Sequence, residues 1–160
     1  MSVRFKSPVI LVGDIGVSRR FYEQYLEQLV VNDFGDNVTF ASGLSLWQGE
    51  LAREVMPVAA GAKPGGSGFE LYFESDDIES VFALLKEAGV EMSHPVREEP
   101  WGQRTFRCYD PDGHLVEVAE PLEALVKRLS ADGRTPEQIA QRTGMPVEQV
   151  LQMIGYPRFC

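Results

Sequence analysis

An α+β fold built from two copies of a strand-helix-strand-strand-strand module, with a helical appendage behind them, is predicted by three observations on the sequence. The order of hydrophobic periods repeats: strand period, helix period, then short strands, once before residue 50 and again after residue 68. The copies are separated by residues 50–68, which lose all alternation and end in Lys63-Pro64-Gly65-Gly66-Ser67-Gly68, a flexible connector by composition. The second copy closes with two apolar strands around Asp110-Pro111-Asp112-Gly113. There Pro pre-sets φ, Asp bonds nearby backbone and Gly accepts positive φ, so a tight hairpin is expected.

Taken in order, Pro8 to Val12 forms the first strand and Gly13-Asp14 ends it. Phe21, Tyr22, Tyr25, Leu26 and Leu29 mark one face of a helix within residues 15–29, capped by Asp14 or, if shorter, by Ser18. Strands follow around Val30-Val31, Val38 to Ala41 and Leu44 to Trp47, separated by Gly35-Asp36-Asn37 and Ser42-Gly43. In the second copy Phe69 to Phe73 is a strand. Asp76 or Asp77 then caps a helix carrying Ile78, Val81, Phe82, Leu84, Leu85 and Ala88, which Gly89 stops. Val90 to Met92 opens the next strand, and the hairpin supplies the last two. The modules span about residues 7–49 and 68–121 of a domain covering 1–121, and residues 122–160 form the appendage.

Composition narrows the setting. With 160 residues, 44% of them hydrophobic, the chain has enough apolar side chains for one ordinary core. No apolar run approaches the roughly 20 residues of a membrane span and the N-terminus carries no signal pattern, so a cytoplasmic protein is expected. Cys108 and Cys160 make no disulfide framework or zinc spacing. A formal charge of −9 disfavours nucleic acid as a partner.

The hairpin also suggests a function. If Tyr109 and His114 flank the turn, Cys108 stands opposite Leu115, Phe106 opposite Glu117 and Arg104 opposite Ala119, all on one face, with Val116 and Val118 on the other. That pattern describes a sheet packed on helices by one face and lining a polar pocket with the second. Glu70, Tyr72 and Glu74 alternate with Leu71 and Phe73 in the same way. A structural ion pair between Arg104 and Glu117 is the plain alternative to a catalytic role. His94 in Ser93-His94-Pro95 reads as a loop residue and His114 as exposed; as the only two histidines they are also the general-base candidates near neutral pH.

The sequence resembles the vicinal oxygen chelate superfamily, which includes glyoxalase I, extradiol dioxygenases and the fosfomycin and bleomycin resistance proteins. The resemblance spans residues 7–121. It rests on Val12-Gly13-Asp14 with Phe21-Tyr22, on Ser75-Asp76-Asp77-Ile78, and above all on Pro100-Trp101-Gly102-Gln103-Arg104 leading to Asp110-Pro111-Asp112-Gly113 and Glu117. It implies two βαβββ modules whose mixed sheets curl around a common cavity, a small-molecule ligand, and a homodimer.

Metal-using members of that superfamily place ligands on the first and last strand of each module. Carried onto this chain, those positions are Ser7, Glu70, Glu117, and Ser45 or Trp47. Two carboxylates without a histidine suit Mg²⁺, Mn²⁺ or Ca²⁺ and disfavour nickel or zinc, so one divalent cation on Glu70 and Glu117 stays open. Two functions follow from the resemblance. One is an enzyme, a metal-dependent lyase or dioxygenase-like protein, in which Glu117, Glu70 and His94 act on a small oxygen-rich substrate. The other is a binding protein that sequesters a cationic aromatic compound, with Trp47, Tyr72, Trp101, Arg104 and Phe106 against the ligand.

The appendage differs in kind. Leu122, Leu125, Val126 and Leu129 make a helical stripe ended by Asp132-Gly133, and Thr135-Pro136-Glu137 starts a second helix. Thr143-Gly144-Met145-Pro146 then joins it to a third through Val147, Val150 and Leu151, in the manner of a helix-turn-helix. The last helix has Glu148 and no Lys or Arg through Ile154, so a packing or dimer-stabilising role is favoured over DNA reading.

Overall fold

The computed structural model describes residues 6–50, 52 and 69–155, so the Gly-rich connector and Cys160 lie outside the described residues. The first module runs β1 (Val9–Val12), α1 (Ile15–Tyr25), β2 (Val30–Asp33), β3 (Asn37–Phe40) and β4 (Ser45–Gln48). The second runs β5 (Glu70–Glu74), α2 (Ile78–Glu87), β6 (Met92–Glu98), β7 (Arg104–Tyr109) and β8 (Leu115–Ala119). The internal repeat is explicit in the topology: the sheets are ordered β1-β4-β3-β2 and β5-β8-β7-β6, each with one parallel pair, β1 with β4 and β5 with β8. They remain two four-stranded mixed sheets and do not close into one barrel.

Local chemistry sets the helix limits. The Asp14 carboxylate accepts from the Val17 N–H at 2.9 Å, so α1 takes the longer start, and Ser18 lies buried within it. It stops at Tyr25, before the expected limit of 29, because Glu27 turns to a φ of +50° and Leu29 is 70% exposed. In α2 Asp77 is the cap, and Gly89 at φ +76° lets Val90 N–H return to Leu85 O at 3.0 Å, closing the helix end.

Alternate residues of both sheets meet the helices in one core containing Ile10, Val12, Phe21, Tyr22, Phe40, Leu46, Leu85, Phe106, Val116 and Val118. The Asp110-Pro111-Asp112-Gly113 turn ties the modules together. Asp112 accepts from Gly13 N–H and Ser18 Oγ, both at 2.7 Å. Asp110, buried, accepts from Tyr22 Oη at 2.7 Å, from His114 Nδ1 at 2.8 Å and from the His114 N–H at 2.8 Å. His114, expected to be exposed, is therefore buried, since its ring has a carboxylate to serve.

The appendage is α3 (Leu122–Ala131), α4 (Pro136–Thr143) and α5 (Val147–Met153). Thr135 and Gln138 form a capping box at the start of α4, and Gly144 ends it at φ +75°. These helices hold a core of their own in Leu125, Val126, Leu129, Ile139, Ala140 and Val150. Burying side chains of that size contributes about 1.5–3 kcal/mol each for Leu, Ile and Val, which suits a unit with its own packing.

Candidate active site around Arg107

The hairpin register differs by one residue from the sequence expectation, and that shift decides which side chains share a face. Tyr109 pairs with Leu115, Arg107 with Glu117 and Phe106 with Val118. The cause is His114, which the buried Asp110 draws into the turn, so the loop takes one residue more on that side. A one-residue slip moves a strand's side chains to the opposite face relative to its partner. Phe106 thus lies fully buried in the core, its ring 5.3 Å from that of Phe82, and is no ligand platform. Arg104 reaches the helix side, where its guanidinium pairs with Glu79 of α2. Neither belongs to the polar face.

In their place stands Arg107. Its Nε donates to Glu70 at 2.9 Å, its Nη1 to Glu99 at 3.1 Å, and its Nη2 to Glu117. His94 also meets it, Nε2 lying 3.3 Å from Arg107 Nη1, while His94 Nδ1 is 2.9 Å from Pro95 O. A carbonyl only accepts and a guanidinium only donates, so Nδ1 carries the hydrogen and Nε2 the lone pair. That lone pair faces the Arg107 guanidinium. Two register shifts in β6 curl the strand so that Glu99, just past its end, reaches over the sheet. Glu99 also accepts from Thr105 Oγ1 at 3.0 Å and Arg97 Nε at 3.1 Å.

Beside this cluster the buried amide of Gln103 organises two aromatic residues. Its Nε2 donates to Tyr72 Oη at 3.0 Å and to Glu120 O at 2.8 Å, and its Oε1 accepts from Trp101 Nε1 at 3.0 Å. Tyr72 and Trp101 stay 48% and 37% exposed, available to a ligand. A groove of about 590 Å³ is lined by Pro8, Gln28, Ser42 and Leu44 of the first module together with Glu70 to Glu74 of β5. Trp47 is not among its residues. It belongs to the first sheet, paired with Leu11 and Asn37.

The charges do not balance. Glu70, Glu99 and Glu117 face two guanidinium groups, Arg107 and Arg97. Glu99 keeps its charge, because the bonds from Thr105, Arg97 and Arg107 outweigh its burial and hold its pKa below the usual value. Glu117 gives way: burial, with the repulsion of Glu70 and Glu99, outweighs Arg107 and raises its pKa to about 7. It can therefore hold or release a proton at neutral pH.

The residues fit a divalent metal poorly. Glu70 and Glu117 are bridged by Arg107, and the first-module counterparts offer hydroxyls: Ser45 Oγ bonds Thr39 Oγ1 at 2.9 Å and Ser7 Oγ at 3.4 Å. Among the described residues no group of three or more His, Cys, Asp or Glu is arranged to hold a metal ion. Sequence reasoning missed Arg107, Glu99 and Gln103. Arg107 left a signal as a basic residue inside a predicted strand, and Gln103 stood within the Pro100 to Arg104 motif without being assigned a role.

Residues 5–123 match the glyoxalase-like domain. The chain belongs to that family. It thereby falls within the vicinal oxygen chelate superfamily, and the glyoxalase-like domain includes both modules. A crystal structure of a protein of unknown function from Agrobacterium tumefaciens str. C58 is 35% identical, covering 76% of this chain and 96% of that one, with a TM-score of 0.68. The same fold occurs in a glyoxalase/bleomycin resistance protein/dioxygenase from Nocardioides (23% identity, 75% and 85% covered, TM-score 0.60). It also occurs in a glyoxalase-related enzyme from Fulvimarina pelagi (23% identity, 74% and 88% covered, TM-score 0.66). No curated protein matches the chain. The glyoxalase-like match ends at residue 123, so α4 and α5 lie beyond it.

Proposed function

We propose that this glyoxalase-like protein binds a small organic molecule bearing a basic group on the acidic face of its second sheet, without a resident divalent metal. One observation carries the reading: the Arg107 guanidinium stands between Glu70 and Glu117, the two carboxylates that metal-using relatives would turn toward a cation. The surplus carboxylate favours a cationic ligand over an anionic one. Exposed Tyr72 and Trp101 offer faces to an aromatic or quaternary ammonium group. The groove along β5 is open, and a second copy of the chain covering it as a homodimer would exclude water from the ligand.

A catalytic reading is favoured by one further observation, the pKa of Glu117 near 7, which suits a general acid or base on a bound substrate. Glu117 would take or return the proton, Glu70 and Glu99 would hold Arg107, and His94 would support Arg107.

The test is titration of purified protein with N-methylquinolinium, as a flat cationic probe, and separately with Mn²⁺, Ni²⁺ and Zn²⁺. Wild type is expected to bind the probe and Glu117→Gln to bind it about tenfold more weakly, equivalent to about 1.4 kcal/mol. Arg107→Met, which frees both carboxylates, should gain Mn²⁺ affinity. Tight stoichiometric metal on wild type that displaces the probe would overturn the metal-free reading.

A further inference from the structure

The turn between β6 and β7 faces two ways. Toward the sheet it supplies Glu99 to Arg107 and Gln103 to Tyr72 and Trp101. It is held internally by Gly102 N–H to Glu99 O and Glu99 N–H to Gln103 O, both 2.8 Å. Toward the appendage, Arg128 of α3 donates through Nη2 to Gly102 O at 2.8 Å and to Glu120 at 2.5 Å, and through Nη1 to Glu98 at 3.3 Å. Arg142 of α4 pairs with the same Glu98. Glu120 in turn accepts the Arg104 N–H at 2.9 Å, and its own carbonyl holds Gln103. Gly102 is at φ +95°, and a Cβ there would lie 3.0 Å from Arg142 Nε, so the backbone is pressed against this arginine.

We propose that the C-terminal helices are a positioning element of the ligand site: Arg128 and Arg142 clamp the Glu98–Gln103 turn and thereby set Glu99 against Arg107 and Trp101 beside Tyr72. The inference rests on the proposed binding face for its functional meaning, while the clamp itself is read from the contacts. An appendage that merely covered surface would need apolar contact with the sheet. Here the connection falls on the one turn that feeds both halves of the site, and it is made by fork-shaped guanidinium groups, which fix orientation as well as distance. Arg142 lies beyond the glyoxalase-like match, so this chain adds a contact from outside the family domain.

The experiment uses full-length Arg128→Met and Arg142→Met, with Lys127→Met as control, since among the described residues Lys127 pairs with Glu123 alone, on the exposed side of α3. Hydrogen exchange at the amides of residues 99–103 is compared with that in β3 and β4. Trp101 fluorescence is read in a Trp47→Phe background, and Glu117 is titrated through its carboxyl NMR signal. The two arginine variants are expected to raise exchange at least tenfold in the turn and not in β3 or β4. The Trp101 signal should become more accessible to acrylamide, and the Glu117 midpoint should fall as Glu99 withdraws and water enters. Affinity for N-methylquinolinium should drop about fivefold or more while Lys127→Met changes none of these. If wild type fails to bind the probe, the binding-face reading fails, and the clamp is still judged by exchange and the Glu117 midpoint. Folded arginine variants with turn exchange and Glu117 midpoint unchanged, or a control that moves them equally, would overturn the clamp.

Discussion

Replacing Glu117 by Gln should make the protein more stable at pH 8 relative to wild type than it does at pH 5. Glu117 is 3% exposed, and its folded pKa of about 7 stands above its ordinary 4.5. A carboxyl raised in this way favours the folded state while protonated. That contribution is complete below the unfolded pKa and is lost as pH rises from about 4.5 through about 7. Each pH unit in that window, where the folded state holds the proton and the unfolded state has released it, is worth about 1.4 kcal/mol. The whole interval thus sets an upper bound on the order of 3 kcal/mol. Gln mimics the neutral acid: its carbonyl still accepts from Arg107, and it cannot ionise. At pH 5 the two proteins should differ by no more than about 1 kcal/mol, as for a neutral hydrogen-bond exchange. By pH 8 the variant should have gained roughly 2 kcal/mol on wild type. Urea unfolding of both proteins at pH 5, 6, 7 and 8 reads the difference. A difference that stays flat across that range, or a variant that loses ground as pH rises, would refute the assignment of the surplus charge to Glu117.

Arg107→Met should destabilise at pH 8 by about 3–5 kcal/mol, because it leaves the buried Glu117 carboxylate without its partner, and by less at pH 5, where Glu117 takes up a proton; paired melts at both pH values measure it. Asp110 has the opposite shift: burial raises its pKa, but bonds from His114 and Tyr22 outweigh this and hold it below the ordinary value. It stabilises above the unfolded pKa and loses that contribution as pH falls, so Asp110→Asn should flatten the acid limb of the stability curve; an unaltered limb would count against the buried network. Tyr22→Phe should cost about 1–3 kcal/mol by removing one donor to that buried carboxylate, read by urea unfolding at pH 7. Gly102→Ala, forcing a side chain to φ +95° against Arg142, should cost about 1 kcal/mol or more and reduce probe affinity, whereas Gly35→Ala, at φ +78° with nothing near its Cβ, should change stability without affecting binding.

The repeat, the helix start at Thr135, a pair of candidate caps for each of α1 and α2 from which the structure takes Asp14 and Asp77, and the alternation of Leu71 and Phe73 with Glu70, Tyr72 and Glu74 were all legible in the sequence. Each depends on interactions within a few residues or on a period, and local chemistry is enough to write them. Glu70 and Glu117 could be placed on one face for the same reason. The partner of those carboxylates could not, because it hinged on whether His114 flanked the turn or entered it. That was decided by Asp110, held from the other module by Tyr22, a contact across 88 positions in the chain. One residue of register exchanged Arg104 for Arg107 and sent Phe106 into the core. The reach of Glu99 over the sheet and the grip of Arg128 and Arg142 on the neighbouring turn likewise arise only when strands curl and helices dock. A side chain's period along its own strand is fixed by the backbone, while the charge it meets is fixed by which distant strand lies opposite, and only the tertiary structure sets that.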